Sequence, residues 1–186
     1  MANASNPMPT VYTVGHSTRP ADEFVLILNS FAIECLVDIR TIPRSKRNPQ
    51  FDQDFLKRFL LQHQIEYLHV KALGGFRQPG KDSTNTGWRN ESFRGYADYM
   101  QTEQFGRAIG EMIALLQKKR IAMMCAEAVP WRCHRSLVGD ALVVRGIQVL
   151  DIFNENTAKL HKLTPWARVE GLTITYPPLQ TAIELE

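Results

Sequence analysis

Cysteine is scarce in this chain, with three in 186 residues, and their odd number and irregular spacing exclude a disulfide framework as the source of stability. No apolar run approaches the ~20 residues that cross a bilayer. The opening MANASNPMPT lacks both the basic start and the apolar core of a secretory signal. The expectation is a reduced, cytoplasmic protein with no membrane partner. Net charge is slight too, at +3. That is far from the balance of a protein that coats nucleic acid, so anion binding must come from local clustering. Neither G-x-G-x-x-G nor a P-loop occurs, which favours hydrolysis or group transfer over hydride transfer.

Apolar residues make up 44% and charged residues 22%, ordinary values for one globular domain with a single substantial core. The expected organisation is a flexible segment at 1–10, an α/β domain at 11–176 and a tail at 177–186. Within it, Ile121 to Gly146 (IAMMCAEAVPWRCHRSLVGDALVVRG) organises the rest. A short continuous apolar run, a polar corner and a helical pattern are what a buried parallel strand feeding a crossover helix looks like. The corner holds two of the three cysteines, a glutamate, a histidine and two arginines at the carboxyl end of the strand, where α/β proteins place ligands.

In chain order, VYTV (11–14) predicts a first strand. Thr18, Pro20, Asp22 and Glu23 then predict a helix start, with Thr18 as capping hydroxyl and Phe24, Ile27, Leu28 and Phe31 as the buried face. CLVDI (35–39) predicts a second strand, followed by a basic loop between two prolines (Arg44, Lys46, Arg47). Phe51, Phe55, Phe59 and Leu60 recur at helical spacing, and YLHV (67–70) predicts strand three. From Phe76 to Arg94 no periodicity survives. Arg77, Lys81, Trp88, Arg89, Phe93 and Arg94 favour a binding loop there. One helical pattern runs from Tyr96 to Leu116, strand four and its helix follow, and Val149 to Phe153 predicts strand five. The remainder is irregular except for an isolated β-like run at Leu172 to Tyr176. This order calls for a mostly parallel sheet of about five strands with flanking helices, as an open doubly wound sheet or a partial barrel.

Those registers bring the strand ends to one rim. It collects Gly15, His16 and Ser17, then Asp38 and Arg40, Gly74 and Gly75, Cys125 and Glu127, and finally Cys133, His134 and Arg135. For acid–base or nucleophilic chemistry, Cys125 is the candidate nucleophile or its support, Glu127 the general acid or base, and His16 or His134 the imidazole. Arg40 and Arg135 are the candidate anion clamp. Each has a structural alternative. Cysteines pack as small hydrophobes, Gly15-His16-Ser17 can be a capping turn, Asp38 and Arg40 can pair with each other, and Arg135 can pair with Glu127 or Asp38. Cys125, Cys133, His134 and His16 would make four metal ligands, but the Cys-x7-Cys-His spacing matches no zinc pattern. No metal or cofactor is expected. A phosphatase-type loop needs arginine six positions after the cysteine, where Trp131 stands.

Taken together, VGHS, VDIRTIPRS, LGG, GYADYM, CAE, CHR and HKLTPWARV resemble the bacterial and archaeal family called domain of unknown function 488, in order and over about Tyr12 to Tyr176. The likeness is carried by His16, Ser17, Asp38, Arg40, Pro43, Ser45, Gly74, Gly75, Tyr96, Cys125, Glu127, Cys133, His134 and Arg135, with His161 beyond. It implies no activity, but it adds Ser45 and Tyr96 to the substrate-binding set of Ser17, Asp38, Arg40, Gly74, Gly75, Cys133 and Arg135. The leading expectation is a hydrolase or group transferase acting on a phosphate-bearing or other anionic substrate, a nucleotide or nucleic acid. The alternatives are a non-catalytic nucleic-acid-binding module, reading the basic loop and the aromatic segment as phosphate and stacking contacts, and a thiol redox sensor built on Cys125 and Cys133.

Overall fold

The structure, a computed structural model, describes residues 8–178. The expected end segments therefore lie largely outside the described residues, and Thr10 already belongs to the first strand.

Continuous apolar runs become inner strands because both of their faces are covered. Strand β1 (Thr10–Gly15), β2 (Cys35–Asp38), β3 (Glu66–His69), β4 (Ile121–Cys125) and β5 (Gln148–Asn154) run parallel, and β6 (Thr157–Leu160) pairs antiparallel with β5. Their order is β3-β2-β4-β1-β5-β6. Every residue of β2 and β4 is buried. With β3 and β6 as its two edges, the sheet is the open form of the two expected, and its six strands match the expected count of about five plus the antiparallel edge β6.

Successive side chains alternate between its faces. Leu36, Ala122 and Met124 pack with Phe24, Ile27 and Leu28 of helix α1 (Ala21–Ser30) and with Leu56 and Leu60 of α2 (Gln53–Gln62). Val37, Met123 and Cys125 face the opposite way. They meet Tyr96 of α3 (Glu91–Tyr99), Phe105 and Ile109 of α4 (Glu103–Leu116), and Leu137 and Leu142 of α5 (Arg135–Val144). The chain thus leaves β1 toward one face and the neighbouring β4 toward the other. This is a topological switch point, where a crevice opens between the two strand ends.

Several expected boundaries move. Helix α1 begins after Pro20 with no side-chain cap, so Thr18 and the GHS turn stand outside it. In α2 the buried residues are Leu56 and Leu60, whereas Phe55 is exposed and stacks on Phe59. The pattern from Tyr96 to Leu116 divides into two helices. Asn90 caps α3 four residues before the expected loop ends, and Thr102 caps α4. The isolated run near Leu172 is one arm of a hairpin, β7 (Arg168–Glu170) with β8 (Thr173–Thr175).

The segment after β6 is fastened by His161. Its Nε2 lies 2.9 Å from Asp140 on α5 and its Nδ1 3.1 Å from Asp151 on β5, and both carboxylates are buried. Thr13 and Tyr176 donate to the same two carboxylates. Burial pulls the His161 pKa down, but the hydrogen bonds and charges of Asp140 and Asp151 outweigh it and raise the value to about 9. The folded chain therefore holds a proton that the unfolded chain releases near 6.5. This contribution to stability is complete below pH 6.5 and is lost as pH rises through about 9. Calorimetry over that range should show the melting temperature falling in the wild type. His161→Gln should start lower and vary less; an equal fall in both would assign the pH dependence to other groups.

Candidate functional site

The crevice at the switch point is a cleft of about 820 Å³. His16 and Ser17 line it from the end of β1, Arg40 from the end of β2, and Arg44, Ser45 and Arg47 from the basic loop. Gly75 and Phe76 enter from the loop after β3, and Ser92 and Phe93 from α3. Cys125, Glu127, Arg132, Cys133 and His134 complete it from the corner between β4 and α5.

Two backbone bonds join its sides. The amide of His16 donates to Cys125 O at 3.0 Å, and that of Ser17 donates to Ala126 O at 2.9 Å. Gly15 permits this approach, because a Cβ there would lie 1.8 Å from the carbonyl oxygen of Glu127. Arg135 fastens the corner from below. Its guanidinium is buried and donates to the carbonyl oxygens of Glu127 and Ala128. Arg135 thus does not line the cleft, and among the described residues it pairs with no acidic side chain. Its role is to hold the loop that presents Glu127, and its replacement by alanine strikes folding before binding.

Asp38 and Arg40 form a buried mutual pair. Arg40 Nε donates to Asp38 Oδ1 at 2.9 Å and Nη2 to Oδ2 at 2.6 Å, while Tyr67 donates to the same carboxylate at 2.7 Å. Arg40 Nη2 also reaches Phe51 O, and Nη1 lies 3.3 Å from Nε2 of His16. The Nδ1 of His16 sits 2.8 Å from the carbonyl oxygen of Ser17, so Nδ1 carries the hydrogen and Nε2 accepts from Arg40. Burial, with help from the Arg40 charge, lowers the His16 pKa to about 4. The ring is therefore neutral, stacked on Phe51, and engaged at both nitrogens.

At the other end of the cleft three donors converge. Nδ1 of His134 lies 3.8 Å from Sγ of Cys125 and 3.7 Å from Sγ of Cys133. The far nitrogen of His134 meets the carbonyl oxygen of Ile39 at 3.1 Å, so Nε2 carries the hydrogen and Nδ1 presents its lone pair to the sulfurs. Both thiols are free and buried. The neighbouring Cys133 thiol lowers the Cys125 pKa, while Cys125 and burial push that of Cys133 well up, so Cys125 ionises first. Cys35 lies within β2, as expected of a packing residue.

The other expected residues divide. Glu127 is exposed on the cleft, and Ser17 lines it with a positive φ of 51°. Ser45 lines it too, its Oγ accepting from the amide of Asn48 in the basic loop. Gly75 lies against His134, where a Cβ would fall 2.4 Å from Nδ1. Gly74 is buried against Thr41 instead. Tyr96 is fully buried, donates to Leu73 O at 2.8 Å and leans on the His134 ring, so it supports the cleft without lining it. Arg44, Arg47 and Arg132 are the additions. All three are exposed and make no ion pair among the described residues. The signal for Arg44 and Arg47 is a basic loop following on a strand's carboxyl end; Arg132 stands instead in the corner between β4 and α5.

The irregular stretch is pinned rather than loose. Asp98 accepts from Gly80, Ser83 and Asn85, and Trp88 packs among Phe93, Trp166 and Tyr176. Trp88 is therefore spent on packing, whereas Phe76 and Phe93 line the cleft. A second hollow of about 500 Å³ lies beside β5 and β6, with Trp131 and Phe153 in its walls.

The fold and cleft define an open α/β protein with a polar, partly cationic crevice at the switch point of a mostly parallel sheet. The chain belongs to the family described as Domain of unknown function DUF488, whose model matches residues 20–142. Neither the curated proteins nor the solved structures contain a match to it.

Proposed function

We propose that the protein is a hydrolase or group transferase acting on a phosphate-bearing substrate of nucleotide size. One observation carries this reading: Arg44, Arg47 and Arg132, exposed and without acidic partners among the described residues, line the same cleft as Cys125, His134 and Glu127. Arginine suits bidentate contact with phosphate. A volume of about 820 Å³ accommodates a small organic anion, and among the described residues Glu127 is the one acidic side chain in the lining. In this reading the arginines hold the phosphate, Glu127 moves the proton, and the cysteine–histidine end carries the reacting group.

The test is titration with a nucleoside diphosphate and, separately, a single-stranded oligonucleotide, each at several salt concentrations. The doubly substituted Arg44→Ala/Arg47→Ala protein should bind the diphosphate at least about tenfold more weakly, a loss of ~1.4 kcal/mol. Its melting temperature should hold, because both side chains are exposed. Diphosphate affinity unaffected by the double substitution would remove the reading. Binding of the oligonucleotide alone, falling steeply with salt, would favour a nucleic-acid module.

A further inference from the structure

We propose that Cys125, Cys133 and His134 form a site for a thiophilic divalent cation, zinc by its ligand set, with a fourth position open to the cleft. Spacing along the chain conceals this site. Cys125 ends β4, Cys133 stands two residues before α5, and the short 3-10 turn Pro130–Arg132 folds the intervening loop so that the two meet. Their ligand atoms and Nδ1 of His134 all lie within 4.8 Å of one another.

The separations fit a metal centre. With zinc–sulfur bonds of about 2.3 Å and zinc–nitrogen bonds of about 2.0–2.1 Å in a tetrahedron, sulfur and nitrogen ligands sit about 3.5–3.6 Å apart. The two sulfur–nitrogen separations here are 3.8 and 3.7 Å. A shift of a few tenths of an ångström brings each sulfur–nitrogen pair to that spacing, and the two sulfurs, within 4.8 Å of each other, would close toward the about 3.8 Å of a tetrahedral site.

The surroundings already do what metal ligands require. The bond from His134 Nε2 to Ile39 O fixes the tautomer and aims Nδ1 at the sulfurs. The backbone amide of Arg135 donates to Sγ of Cys133 at 3.5 Å, a hydrogen bond of the kind that supports a thiolate. His16, the fourth ligand that composition alone suggests, is bonded to Ser17 and Arg40 and is not part of the cluster. Three protein ligands with an open position is the arrangement of catalytic rather than structural zinc. The proposal rests on the proposed function only in directing that position to a substrate.

The experiment uses the full chain, stripped with chelator and kept reduced, and titrated with zinc and with cobalt. One equivalent of zinc should bind. Cobalt should give a thiolate charge-transfer band and the visible spectrum of a tetrahedral ion. Zinc should shield Cys125 and Cys133 from alkylation while leaving Cys35 unchanged, as read by mass spectrometry of the wild type, so the result does not depend on a variant folding. Cys133→Ser and His134→Ala should each weaken zinc binding at least about 100-fold, more than the loss of a group that merely orients a ligand. Less than a tenth of an equivalent bound, equal alkylation with and without zinc, or affinity that survives both substitutions would each overturn the site. Diphosphate binding that persists without zinc uptake would leave the cleft reading standing, whereas zinc uptake without diphosphate binding would preserve the metal site and remove that reading.

Discussion

Replacing Asp38 by alanine is expected to cost about 3–5 kcal/mol of folding stability, the penalty for leaving one member of a buried ion pair uncompensated. The Asp38 carboxylate accepts from the amide, Nε and Nη2 of Arg40 and from the hydroxyl of Tyr67, and it is wholly buried. Without it the Arg40 guanidinium keeps only the carbonyl oxygen of Phe51 and the His16 ring as partners. Such a loss is a large share of the roughly 5–15 kcal/mol that holds a domain together. Urea unfolding measures it directly. A loss below about 1 kcal/mol would mean that the pair is replaceable by water, and that Arg40 is available to bind substrate.

Glu127→Gln should do the reverse. The side chain is exposed and has no hydrogen-bond partner among the described residues, so the melting temperature should barely move. If Glu127 carries the proton in the reaction, turnover of p-nitrophenyl phosphate or of a nucleotide should fall at least about 100-fold. KM should change little, because the arginines proposed to hold the phosphate are untouched. Full turnover in the variant would assign Glu127 a solvated place on the rim and no chemistry.

The contrast between these two carboxylates marks what the amino-acid pattern reveals. Strands β2 and β4 are legible because a strand covered on both faces must be apolar throughout. Once they are placed with β1, the meeting of the GHS turn, the DIR segment and the corner from Cys125 to Arg135 follows from topology. Strand β6 is hidden because its TAKL is only four residues long and lies half-exposed at an edge. The start of α3 is hidden because its cap, Asn90, stands in a run of glycine and asparagine that equally suits a loop.

Side-chain direction is the other gap. Tyr96, Arg135 and His16 occupy the expected rim, yet the first two turn inward onto carbonyl oxygens and the third stacks on Phe51. A polar tip at a strand end looks the same in sequence whether it serves the solvent side or the backbone beneath. Conversely, Arg44 and Arg47 read equally as phosphate contacts or as solvated loop residues, and only the folded chain shows them lining the cleft.

The central claim is that the crevice at the carboxyl ends of β1, β2 and β4 receives a phosphate-bearing ligand. Its most direct measurement is a pyrophosphate titration followed by NMR of the histidine rings and arginine guanidinium groups. Saturable shifts are predicted for His134, Arg44, Arg47 and Arg132, with His161 unmoved. No saturable change, or shifts centred on His161 and the hollow beside β5 and β6, would contradict it.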